Sequence, residues 1–494
     1  MLLVLQILVL HAFAGTPDNP SQQQANQLLE QSVTLAEQFS PGDHVYFLYT
    51  LTSAAVDIAP KSKREQWCTQ MFRLASQMEP SWNRVAQQKN ALICLSKMNA
   101  TLAMKRFDEV DLPQPDEDGE FPEDLRASAA FTIFQNYWNV AGISGLPTIE
   151  DRANHIGDTG EYPYKAMGQI IAAMGKDSST AATRKALFEK AIGYYNNPKP
   201  RPFRNRNAQF LKLLQATRPP IVDKGVFRDA LRIFYQQIFS ETTKDVDYAE
   251  EVNDIVFLDR RRAFLFHAFD MINTVDPLWA RELQHQYKEL TKATGKIEVI
   301  SASAIHQDVT PEQAQYLHYK LSQETLPEKI QEKIDAHDIA GANLLATRLT
   351  DDHAHILGVA KLLPSLAQTN PTTAERLYAA ERTRLQALTD EIERVQALVA
   401  LAQGAYHVGK QDEFSDLSKS AFSDALRLFT NDSRQRPQLH IQVRQGYTEL
   451  KDIVVFGVAH DLAWILPNIT DLQDVQLKAD LLVAAAQGVV QQKP

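Results

Sequence analysis

The sequence predicts an all-α protein of antiparallel helix pairs stacked as an α-solenoid, with a closed α/α toroid as the alternative. Three observations carry this. Apolar residues recur at helical spacing along nearly the whole chain, alternating β-branched runs never exceed a few positions, and one kind of helix-opening turn keeps returning. Residues 390–406 show the spacing: Ile392, Val395, Leu398, Val399, Ala402, Ala405 and Tyr406 share one face of a helix. Asp390, Glu391 and Glu393 crowd its first turn, where the helix dipole favours negative charge. Gly409 is placed to end that helix before a second one runs from about Asp412 to Phe429.

The recurring turn is read at three places. Met78-Glu79-Pro80-Ser81-Trp82, Val275-Asp276-Pro277-Leu278-Trp279 and Thr369-Asn370-Pro371-Thr372-Thr373 each combine a polar capping residue with a proline. Proline at the first helical position loses nothing, because that N–H has no intrahelical partner. Leu326-Pro327-Glu328 and Thr310-Pro311-Glu312 open helices in the same way. Such short connections lay consecutive helices antiparallel and adjacent, the unit of a helical array.

At ~150 residues per domain, 494 residues allow about three domains or one extended array. A net charge of −10 argues against a nucleic-acid partner and against docking on an anionic membrane. Leu2 to Leu10 is apolar apart from Gln6, and Ala12-Phe13-Ala14 supplies the small-x-small pattern of a cleavage site. Residues 1–14 therefore read as a signal peptide, although no Lys or Arg precedes the apolar run, and the expected location is periplasmic or secreted. No later stretch reaches ~18 uninterrupted apolar residues, so no integral membrane segment is expected after cleavage. Cys68 lies 12 residues before Pro80 and Cys94 lies 14 after it. Across an antiparallel pair they sit level to within ~3 Å, which leaves both a disulfide and two inert core thiols open.

Two stretches interrupt the helices and set soft boundaries. Residues 108–124 hold nine carboxylates, no basic residue and prolines at 113, 115 and 122, the composition of a solvated linker. Residues 296–308, within Gly295 to Asp308, alone have strand-like composition and read as an extended connector. The helical blocks are then 15–107, 125–295 and 309–494.

Candidate chemical motifs each lack the context they need. Gly157-Asp158-Thr159-Gly160 contains the Asp-Thr-Gly of aspartic proteases, without the β-rich fold or a second copy, and reads as a turn. Thr294-Gly295-Lys296 has Leu290 where a phosphate loop needs glycine. His353 and His355 point ~200° apart on a helix and cannot share one metal ion unaided; Asp351 or Asp352 reads as a cap. Asp116-Glu117-Asp118-Gly119-Glu120 lacks the ligand series of a calcium loop. No metal site and no cofactor is expected.

Two features suit a binding surface. One is the aromatic, glycine-rich stretch from Asn136, Tyr137 and Trp138 to Tyr162 and Tyr164. The other is the positive charge of Lys199, Arg201, Arg204 and Arg206 in an acidic chain. Leu401 to Phe414, with Tyr406, Gly409, Ala421 and Ala425, resembles a tetratricopeptide-repeat hairpin, with the spacing from Tyr406 slipped by about one position. The whole chain resembles the uncharacterised exported helical-repeat proteins of Gram-negative bacteria. That resemblance implies a scaffold without catalytic residues. The expected function is thus an exported, non-enzymatic scaffold binding a protein or peptide. The alternative is an exported α/α-toroid hydrolase or lyase acting on a glycan, with acids among Asp151, Asp158 and Glu161.

Overall fold

The structure, a computed structural model, describes residues 20–115, 119, 121–197, 203–240, 250–252, 255–291, 298–300, 326–437 and 439–492. The expected signal peptide at 1–14, the 116–118 carboxylates, Lys199, Arg201, Thr294-Gly295-Lys296 and the Thr310 helix start lie outside these residues.

Helices dominate. The first half comprises α1 (Pro20–Ala36), α2 (Pro41–Ala54), α3 (Lys61–Ala75), α4 (Trp82–Met98), α5 (Ala100–Arg106), α6 (Leu125–Ala141), α7 (Leu146–Thr159), α8 (Tyr164–Ala173), α9 (Ala181–Asn196), α10 (Arg206–Ala216), α11 (Lys224–Ser240), α12 (Arg260–Val275) and α13 (Pro277–Gln286). The second comprises α14 (326–335), α15 (Ile339–Ala346), α16 (Asp352–Thr369), α17 (Pro371–Arg384), α18 (Glu391–His407), α19 (Gln411–Gln435), α20 (Tyr447–Ala459), α21 (Ile465–Thr470) and α22 (Val475–Gln491). Three short strands lie between α11 and α14. β2 (Ile255–Phe257) pairs antiparallel with β1 (Glu250–Val252) and parallel with β3 (Glu298–Ile300). The described part of the expected connector is thus a strand.

The helix starts follow their caps. Asp276 accepts from Trp279 N and Asn370 from Thr373 N, each with proline at the first helical positions. The first copy of the turn differs: Ser81 is the cap, accepting from Arg84 N, so Pro80 stands just outside α4. Asp351 caps α16 through Ala354 N, and Asp390 caps α18. Gly409, at φ 78°, closes α18, and Lys410 N reaches back to Ala405 O. Glycine suits that left-handed position because it carries no Cβ to clash.

Consecutive helices pair, and the even-numbered ones also pack side by side. α12, α10, α8, α6, α4 and α2 form one row; α2 touches α22, and the row continues through α20 and α18 to α16. Among the odd-numbered helices such lateral packing is sparse, α9 against α11 being the clearest case. α1 packs along α22, so the two ends of the described chain meet in the middle of the row. An open solenoid would hold its first and last helices far apart; their contact is the feature expected of the toroid alternative.

α22 is shaped for this central place. Leu477, Leu481, Val483 and Val489 are buried, as is the run Ala484-Ala485-Ala486, so the helix has core on more than one side. A Cβ added at Gly488 would stand 2.6 Å from Val455 O, so α20 approaches it almost backbone to backbone. The resulting apolar core is continuous from Ala25 to Val489.

The 108–124 stretch is anchored where the sequence suggested a solvated linker. Asp108 pairs with Arg152 at 3.0 Å, Asp111 with Arg84 at 2.5 Å, and Asp124 is buried against Arg126 at 2.9 Å. Three of its carboxylates are thus met by arginines, which composition alone does not reveal. Cys68 on α3 and Cys94 on α4 form a disulfide with their Cα atoms 5.7 Å apart. Closing a 26-residue separation contributes roughly 3–4 kcal/mol on the chain-entropy account. Urea unfolding with and without reductant tests this: the reduced protein should lose about that much, and an unchanged midpoint would contradict it.

Candidate functional site

The structure separates the residues that the sequence grouped into one surface. Tyr137 and Trp138, at the end of α6, are half-buried against the core. Tyr162 and Tyr164 are 2% and 1% exposed, so neither can meet a partner. Tyr162 stacks on Tyr194 with ring centroids 4.6 Å apart, and Tyr164 meets Tyr195 and Phe210 edge-on. Aromatic and glycine density fits a packed core as well as a groove, and here glycine serves packing: a Cβ at Gly157 would press on both Tyr162 and Tyr194. Burial pushes both tyrosine hydroxyls far above their usual range.

The basic cluster divides as well. Arg204 is exposed, while Arg206 is buried, 3.8 Å from Glu161, and lies over the Tyr195 ring. Glu161 is itself 6% exposed and cannot act on a substrate in solvent. Asp151 lies 2.7 Å from Arg152, and Asp158 accepts from the Tyr194 hydroxyl at 2.8 Å. The three proposed acids therefore serve local contacts on and beside α7. His355 Nδ1 lies 3.0 Å from buried Glu381, and among the described residues no three His, Cys, Asp or Glu side chains are grouped to hold a metal.

What joins this region is a buried ion pair. Asp124 accepts from Arg126 N at 2.9 Å, Arg126 Nη2 at 2.9 Å and Glu161 N at 3.1 Å. Arg126 Nη1 donates to Thr159 at 2.9 Å. The Asp-Thr-Gly segment is the wall of this pair: a Cβ at Gly160 would fall 2.0 Å from Asp124 Oδ2. Asp259 and Arg261 repeat the arrangement at the start of α12. In both, one carboxylate caps a helix and holds the guanidinium two residues on, an Asp-x-Arg signal that sequence reasoning missed.

A groove lies elsewhere, across the even-numbered row. It occupies about 450 Å³ between α16, α18 and α20. Leu357, Val399 and Ala400 give it apolar surface, and Gln396, Gln403, Glu449 and Asp452 give it polar groups. Gln396 Nε2 donates to Glu449 Oε1 at 3.0 Å, which fixes one amide and one carboxylate. Lost hydration, then the charge of Glu449 one turn earlier, holds the Asp452 carboxyl above its usual range. His407 at the groove's end is held below the usual imidazole range, by burial first and then by His460.

Pro364 supplies the least ordinary feature. It sits inside α16 and lines the groove, as does Ala360 one turn earlier. Proline has no N–H, so the carbonyl of Ala360 loses its helical hydrogen bond. The bond given up thus lies on the groove wall. An in-helix proline was visible in the sequence, but not that it would face a groove.

No family model, no curated protein and no solved structure matches this chain. No described helix is long and apolar enough to cross a membrane.

The Asp124 cluster carries a direct prediction. Asp124→Ala strands a buried guanidinium and should destabilise by roughly 3–5 kcal/mol. Gly160→Ala should cost roughly 1–3 kcal/mol through overpacking, and exposed Asp151→Ala less than about 0.5 kcal/mol. Denaturant unfolding of the three variants measures this order; equal effects would contradict it.

Proposed function

We propose that the protein is an exported, non-enzymatic helical-repeat scaffold whose groove across α16, α18 and α20 holds an extended segment of a partner protein. The observation that carries this reading is the helical bond given up at Pro364, which stands on the wall of the same groove as the amides of Gln396 and Gln403. An extended peptide presents alternating N–H and C=O groups, and such groups pair with amides and free carbonyls while apolar side chains settle between the helices. The placement supports it too, because the closely packed row of a curved array is the side on which such arrays bind partners. The Cys68–Cys94 bond favours export, since disulfides persist in oxidising compartments. A tetratricopeptide-like ancestry of the α18–α19 hairpin fits the same reading.

The rival reading, an α/α-toroid enzyme acting on a glycan, draws on the contact of α1 with α22 and on Glu449 and Asp452 lying one turn apart. In that case Asp452→Asn would abolish glycan turnover.

Pro364→Ala separates the scaffold reading from this rival. It restores a helical hydrogen bond, so α16 should gain up to about 3 kcal/mol while the Ala360 carbonyl becomes engaged. Screened against an immobilised peptide library, the variant should bind at least tenfold more weakly than wild type and unfold later. Ala400→Trp, which fills the groove, should lose binding altogether. Unchanged peptide binding in both variants, or no peptide bound by wild type, would contradict the scaffold.

A further inference from the structure

The seam where the chain's two ends meet contains polar groups that the groove does not use. α22 is packed against α1, α2, α20 and α21. Across it, Gln442 Nε2 donates to Tyr46 O at 3.1 Å and Thr50 Oγ1 at 3.0 Å. His440 Nδ1 lies 3.2 Å from Asp43, and its ring lies 3.9 Å from that of Tyr46. Behind these contacts is Asp480 on α22, only 2% exposed. Tyr447 of α20 donates to its Oδ2 at 2.8 Å. Its Oδ1 is buried without a well-formed hydrogen bond; the Gln442 amide, which donates to Tyr46 and Thr50, lies near enough only to draw the carboxyl down.

A carboxylate in such a place is costly, and a carboxylic acid is not. The charges around it do not compensate. From α20 come Tyr447, whose hydrogen bond draws the carboxyl down, and Lys451, whose charge does the same; Asp474, the cap of α22, pushes it up. α21 has no ionisable residue, and the one ionisable residue of α1, Glu30, is exposed and turned to Lys63 at 3.8 Å. α2 brings Asp43, held by His440, together with His44, Tyr46 and Tyr49. Burial dominates, and it raises Asp480 from 3.8 to about 7.

We propose that this seam is a proton-controlled joint: protonated Asp480 is a neutral group that the packed helices accommodate, and its ionisation loosens α1 and α2 from α20 and α22. In the closed seam the proton is held more tightly than in an opened, hydrated one. Closure is therefore fully favoured below about pH 4, weakens as pH rises toward 7, and is level above that. The whole span is about a thousandfold in the closing equilibrium. The joint operates whether or not the groove holds a peptide.

Amide hydrogen exchange, corrected for intrinsic chemistry, reads this opening directly in the full chain. Between pH 5 and pH 7.5 the protection of α1 and α2 should fall about seventyfold, with α6 and α8 as internal references. In Asp480→Asn, whose amide oxygen still accepts from Tyr447, protection should be independent of pH. Tyr447→Phe removes the hydrogen bond that favours the ionised form, so its transition should move to higher pH. This variant decides the matter if the asparagine variant fails to fold. A pH-independent seam in wild type, an unaltered fall in Asp480→Asn, or an unmoved transition in Tyr447→Phe would each overturn the joint. So would loss of the transition in His440→Asn alone.

Discussion

The packing of α1 along α22 is the constraint on which the rest of the architecture depends. Without it the first hairpin would be the frayed end of a row and α22 would expose a face of alanines and valines. With it, two rows of even-numbered helices become one, running from α12 through α2 and α22 to α16. The terminal helices, ordinarily the least protected part of a helical array, become its centre. The seam accordingly holds a close helix approach, at Gly488, and a buried acid, Asp480.

Two polar devices act at different places in this frame. The Asp124–Arg126 pair fixes the passage from the acidic segment into α6, and Gly160 makes room for it. The groove instead is lined by a helix that gives up a bond, because Pro364 has no N–H to offer the Ala360 carbonyl. The first is fully satisfied internally, and so offers nothing to a partner. The second presents the side chains of Gln403 and Asp452 on an open groove, where the proposed peptide would meet them.

Much of the local structure was legible because it is set by local physics. Asp276-Pro277, Asn370-Pro371 and Gly409 announce helix ends by the bonds they make or cannot make, and the structure uses all three as read. Asp351 caps α16 for the same reason. Long-range partnerships were not legible. Tyr162 and Tyr164 look the same in sequence whether they line a groove or a core, and only their neighbours Tyr194, Tyr195 and Phe210 decide. Arg204 and Arg206 are two residues apart with opposite fates, since a helix start turns one inward to Glu161. The near-continuous apolar run of α22 did carry a signal, of a helix surrounded on several sides, but not which helix covers it.

The meeting of the two ends is the claim most open to direct measurement. Spin labels at Glu30 on α1 and Gln491 at the end of α22, both exposed, report the distance by pulsed electron resonance. Helices in contact, with axes roughly 8–10 Å apart, give a single narrow distribution below about 35 Å. A distribution beyond about 60 Å, as a row of some ten such steps would give, would show that the ends lie far apart and that the array is open.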